Sequence, residues 1–261
     1  MTHSLASWIA LVAVIGGLAP SALAQAVRID GVPQYPNQRG CAPTAGGMVL
    51  GYWDAHGFGD FIVGSNDWAT NGAAIAAMIA SPEHVADYWD TDEPGPYHPD
   101  NCLADFMGTS VDPLPNGETA FSRIDDGLED FAAYVGYTPS TADNTQYVDW
   151  SDDAYWNAYI AEIDAGRPVV FFVDLDGDGT DAEHCVTGYG YDTATEEYLF
   201  LDPNDTGEQR RAFTAMAAGQ PFGLRGVTTF IPMPEPATLA LVGGGLGLAL
   251  AGRMLRMQRT R

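Results

Sequence analysis

A cysteine two residues before a proline, at the start of a helical pattern, constrains this chain more than any other stretch. Residues 32–40 read as an extended entry to Cys41-Ala42-Pro43-Thr44-Ala45. Pro43 suits a first helical turn because its missing N–H is not needed there, and Met48, Val49, Tyr52 and Trp53 then recur at helical spacing. Cys41 is therefore expected at a helix N-terminus, where free backbone N–H groups and the positive end of the helix dipole favour the thiolate. A lone cysteine is more often buried or paired than reactive. A catalytic reading needs partners from elsewhere in the chain.

Two later segments supply them. Residues 167–173 read as a buried strand, followed by a turn and then Glu183-His184-Cys185-Val186-Thr187-Gly188-Tyr189-Gly190. Tyr198-Leu199-Phe200-Leu201-Asp202-Pro203 reads as a further strand ending in a carboxylate. Cysteine on a helix start, histidine on a strand and an acid at the end of the next strand is the order a cysteine-protease triad needs. Imidazole titrates near neutrality, so it can take the thiol proton and later protonate a leaving amine, while the acid fixes its tautomer.

Cys41-Ala42-Pro43-Thr44-Ala45, His184-Cys185-Val186-Thr187-Gly188-Tyr189-Gly190 and Leu201-Asp202-Pro203 together resemble the bacteriocin-processing (double-glycine) peptidase-like family of papain-fold cysteine peptidases. The resemblance covers about residues 32–205. It implies Cys41 as nucleophile, His184 as base and Asp202 as the group orienting the imidazole, acting on a peptide or protein substrate. Members of that family usually carry Gly after the cysteine; Ala42 adds a methyl group beside the oxyanion pocket. The resemblance also implies a glutamine upstream of the cysteine as oxyanion donor. Gln34, seven residues before Cys41, is nearer the usual spacing than Gln38, three residues before it. The implied fold is α+β and papain-like, with N-terminal helices followed by an antiparallel sheet, as one domain over residues 25–231.

Both ends of the chain read as addresses. Residues 1–24 carry an apolar run and end Ala22-Leu23-Ala24, a secretory signal peptide with a small-x-small cleavage site. Residues 232–261 hold Pro234-Glu235-Pro236, an apolar stretch from 237 to 252, and Arg253, Arg256, Arg259 and Arg261. This tail resembles the PEP-CTERM sorting signal of Gram-negative envelope proteins, which implies a short transmembrane helix and processing by an exosortase-type transpeptidase. The globular part is thus expected outside the cytoplasmic membrane, in the envelope or matrix. Eleven Arg, no Lys and 35 acidic residues give a net charge of −24. Such a surface repels phosphate backbones and excludes nucleic acid as a partner.

Between the motifs, helices are expected over 71–79, from 83 onward, over 125–135 with Ser122 as cap, and after Trp150-Ser151-Asp152-Asp153, with an acidic loop over 90–100. Beyond residue 211 the pattern predicts a short amphipathic piece and a last strand over 226–231. His84 and His98 lack an i,i+4 pair or carboxylate–histidine spacing for zinc and read as local hydrogen-bonding residues. Asp174, Asp176 and Asp178 match the start of a calcium loop, but position twelve is Cys185 instead of Glu. Structural calcium and an Asx-rich turn both fit; no cofactor is required for the chemistry. Cys102 and Cys185 are a candidate disulfide, because a residue adjacent to His184 on a strand should face away from the site.

Overall fold

The computed structural model describes residues 26–88, 98–111, 113–138, 140–147, 150 and 153–233. Residues 1–24, expected to be a signal peptide, and all but the first two residues of the expected sorting tail over 232–261 lie outside them. Among the described residues no helix is long and apolar enough to cross a membrane. The order is β1 (Ala26–Arg28), α1 (Cys41–Ala55), α2 (Trp68–Ile79), α3 (Pro82–Tyr88), α4 (Leu103–Phe106), α5 (Ile124–Tyr134), β2 (Thr141–Gln146), α6 (Ala154–Asp164), β3 (Val169–Asp174), β4 (His184–Asp192), β5 (Glu197–Leu201), β6 (Glu208–Ala212) and β7 (Gly223–Ile231). This is the α+β plan expected from the sequence: helices first, then an antiparallel sheet.

The sheet runs β2-β7-β3-β4-β5-β6, with β1 also paired to β4. Every strand pair is antiparallel. The central strands β3, β4 and β5 are almost wholly buried, and β3 and β5 read as apolar runs. The edge strands are polar. Glu208, Gln209, Arg210 and Arg211 make β6 an edge that resists pairing with another chain.

Two cores lie on the sheet. One joins α1, α2, α4 and α5 through Met48, Leu50, Ile79, Leu103 and Leu128; the other packs Tyr159 of α6 against Phe171 and Phe213, with Tyr198 on Phe171. Helix α1 is buried from Ala42 to Tyr52 on all sides, so its apolar residues form a cylinder and not a stripe. Met48 and Leu50 have no exposure, and each contributes roughly 1.5–3 kcal/mol by leaving water. Close approach depends on small residues. A Cβ on Gly47 would sit 2.7 Å from Ile79 of α2, and one on Gly51 would collide with the Tyr35 hydroxyl.

Several details differ from the sequence expectation. Helix α5 is preceded by a 3-10 turn over Phe121–Arg123, and its N-cap is Arg123 without a side-chain bond; Ser122 is exposed and caps nothing. The amphipathic piece near Arg211 is strand β6, held by pairing to β5. Strand β2, Thr-Ala-Asp-Asn-Thr-Gln, has no apolar alternation and exists because β7 templates it. Part of the acidic loop over 90–100 lies outside the described residues.

Candidate active site

Helix α1 delivers Cys41 as its first residue. The turn before it is closed by Thr44, whose Oγ1 donates to the Gly40 carbonyl at 2.7 Å and accepts from the Gln38 N–H at 2.9 Å. Asn37 adds a second brace, its Oδ1 accepting the Gly40 N–H at 2.9 Å. The N–H of Cys41 belongs to the first helical turn, where no carbonyl one turn back exists to receive it.

The sheet packs beneath that helix start. Thr187 of β4 donates to the Ala45 carbonyl at 3.0 Å, fixing α1 across the strand. His184 opens β4, and Asp202 directly follows β5. The His184 Nε2–H donates to Asp202 Oδ1 at 2.8 Å, with both side chains buried. This leaves the other ring nitrogen for the Cys41 thiol, whose nearness helps to raise the imidazole. The three residues singled out from the sequence therefore meet.

The electrostatics favour an ion pair. The Cys41 thiol is held well below its ordinary range, first by a hydrogen bond from the Cys185 thiol, against the cost of burial, and then by His184. For His184, burial opposes the charged form, but Asp202 and the Cys41 sulfur outweigh it and raise the imidazole to about 9. Burial also works against the Asp202 carboxylate, yet its bonds from His184 and the Asn204 N–H keep it below the usual range. Thiolate, imidazolium and carboxylate are the charge states of a primed nucleophile, its acid and its orienting group.

The position of Cys185 corrects the sequence expectation. Its side chain does not turn away; it lines the same cleft as Cys41, and its own thiol is pushed well up by interaction with Cys41 and by burial. The reason is that α1 crosses the face of β4 that carries Cys185 and Thr187, so the helix start lies over Cys185. Cys102 sits far along the chain at the N-cap of α4. All three cysteines are free, so the Cys102–Cys185 disulfide is not present. Burial and Asp105 push the Cys102 thiol up to about 12, the opposite of Cys41.

Gln34 is likewise corrected. Its Nε2 donates to the Asp205 carbonyl at 2.8 Å and to that of Asp202 at 3.3 Å, while Oε1 accepts the Gly207 N–H at 2.8 Å. Both ends of the amide are engaged on the loop after β5. Gln34 thus anchors the Asp202 loop to the irregular segment entering α1, together with Asn37, whose N–H reaches the Pro203 carbonyl at 2.8 Å. The Gln38 amide donates to the Pro36 and Asn37 carbonyls.

In the acidic loop, the two Asp174 oxygens accept the Gly177 and Gly179 N–H groups at 2.6 and 2.8 Å. Asp178 turns instead to Thr180, at 2.7 Å from both its N–H and its hydroxyl. The carboxylates that converge are Asp174, Asp176 and Glu183, with oxygens within 4.8 Å of one another. Asp178 does not belong to that group; the fold back to β4 brings Glu183 in its place. Spacing along one loop did not reveal Glu183, which arrives from the far side of the turn.

A cleft of about 120 Å³ opens at the thiol, lined by Cys41, Ala42, Glu118, Phe172, Asp181, Glu183 and Cys185 among others. Its floor is sulfur and ring; its rim is acidic.

A model of the Peptidase_C39 like family matches residues 24–220, spanning β1, the cysteine helix, the histidine strand and the Asp202 loop. The chain belongs to this family. Membership in the Peptidase_C39 like family agrees with a papain-like cysteine peptidase fold. No curated protein matches the chain.

Proposed function

We propose that this Peptidase_C39 like protein is an exported cysteine peptidase that hydrolyses peptide bonds through a thioester on Cys41. The observation that carries the reading is the buried His184–Asp202 bond at 2.8 Å beside the helix start that bears Cys41, near enough for the sulfur to help raise the imidazole. The thiolate attacks the scissile carbonyl carbon, and the oxyanion forms beside the Cys41 N–H at the helix start. His184, as imidazolium, protonates the leaving amine. Neutral His184 then takes a proton from water, whose oxygen displaces the sulfur from the acyl carbon and restores the thiolate–imidazolium pair.

Glu118, Asp181 and Glu183 on the cleft favour substrates with Arg or Lys beside the scissile bond. Export follows from the reading of residues 1–24, and retention in a Gram-negative envelope, with exosortase-type processing, from residues 232–261. The test is labelling with a thiol-directed epoxide, followed by mass mapping and cleavage profiling on a peptide library. Label on Cys41 with cuts beside basic residues is the expected result. A protein that takes label only at Cys102, or that cuts nothing in the library, refutes it.

A further inference from the structure

Away from the cleft, three chemistry-bearing side chains converge on one buried point that the peptidase mechanism does not use, and a fourth, His98, reaches one of them. His84 of α3, Cys102 at the cap of α4 and Asp105 within α4 are all buried, with one donor atom from each lying within 4.8 Å of the others. Asp105 is the hub: Oδ1 is 2.6 Å from His84 Nδ1, and Oδ2 is 3.1 Å from Cys102 Sγ. His98 enters from the other side, its Nε2 at 3.3 Å from Asp105 Oδ2.

We propose that His84, His98, Cys102 and Asp105 form a structural site for a zinc-class divalent cation. Two imidazoles, one thiol and one carboxylate are the donor types of a four-coordinate zinc site, and a thiolate selects against magnesium and calcium. The outer contacts fit as well. His98 Nδ1 lies 2.5 Å from Asp87 Oδ2, so the ring is turned with Nε2 toward the cluster. A carboxylate behind a ligating histidine is the usual support of such a site. The charges balance on binding: Cys102 gives up its proton, and the thiolate with Asp105 neutralises the dication. The cation would tie α3 to α4, two short helices of seven and four residues that have little local stability of their own.

The experiment uses the full chain with Cys41→Ala and Cys185→Ala, so that Cys102 is the sole thiol. After treatment with a chelator, cobalt(II) is titrated in and followed by absorbance, and zinc by melting temperature. The expected result is one cobalt per chain with a thiolate-to-cobalt charge-transfer band, and a zinc-dependent rise in melting temperature. Cys102→Ser should abolish the band, and Asp87→Asn should weaken binding by about 10–100-fold. The proposal is overturned if cobalt binds without the band, as it would at the Asp174 loop, or if the band survives His98→Gln at unchanged affinity. It is also overturned if neither metal changes absorbance or melting.

Discussion

Replacing Asp202 by Asn tests the charge arrangement of the site with little change of shape. Epoxide labelling of Cys41 needs the thiolate and a protonated imidazole together, so its rate should rise at acid pH and fall again as His184 loses its proton near 9. The 2.8 Å bond from His184 survives in geometry but loses its charge. A hydrogen bond to an ionised partner contributes about 1.5–3 kcal/mol and a neutral one about 0.5–1.5, so the imidazolium loses about 1–1.5 kcal/mol. One pH unit corresponds to about 1.4 kcal/mol, which moves the alkaline limb down by about one unit. The direction is fixed, because removing a negative charge from beside a cation eases its deprotonation. The assay is the second-order inactivation rate across the pH range, for wild type and Asp202→Asn. An alkaline limb that stays near 9 in the variant would refute the argument that Asp202 holds His184 charged.

Four further outcomes are expected. Cys185→Ala removes the thiol donor to Cys41, so alkylation of Cys41 should slow at mildly acidic pH and match wild type under strongly alkaline conditions; equal rates throughout would show that the contact does not matter. Gln34→Ala should lower stability by about 1–3 kcal/mol in urea denaturation, because it releases the Asp202 loop; a large loss of turnover at unchanged stability would instead restore an oxyanion role. Calcium at 100 times Kd should raise stability by about 2.7 kcal/mol through Asp174, Asp176 and Glu183, with magnesium much weaker; a melting curve indifferent to calcium and chelator makes the loop an Asx-rich turn only. His184, raised to about 9, gives wild type stability that is complete below the ordinary imidazole value of 6.5 and is lost as pH rises, while Cys41, held low, titrates in the opposite sense. Cys41→Ala removes the second titration and one support of the first, so its pH–stability curve should differ from wild type above pH 6.5; identical curves would contradict the ion pair.

The fold was legible where local pattern and burial coincide. Helix α1 announces itself through Pro43 and its apolar run, and β3, β4 and β5 through continuous buried sequence. Strand β2 has no apolar alternation, so its neighbours β7 and α5 determine its conformation. Cys41, His184 and Asp202 were legible because each stands at the end of an element, where the order of elements alone brings them together. Cys185 was misread from strand alternation, which gives a face but not which helix lies over it. Gln34 was misread because distance along the chain says nothing of the Asp205 and Gly207 backbone groups that occupy its amide. The cluster around Asp105 has no helical spacing to betray it; its members come from α3, the segment before α4, and α4 itself.

Because α1 is enclosed on every side, with Gly47 against Ile79 and Gly51 against Tyr35, its backbone has no route to solvent short of losing both cores. Its amide protons should therefore be among the slowest in the molecule to exchange with deuterium, at a rate set by global unfolding. Cys41 stands on the first residue of that slow-exchanging unit while its sulfur faces the cleft. The nucleophile thus combines a rigid mounting with an accessible tip, and any treatment that loosens the cores should extinguish epoxide labelling in the same transition that releases the α1 amides.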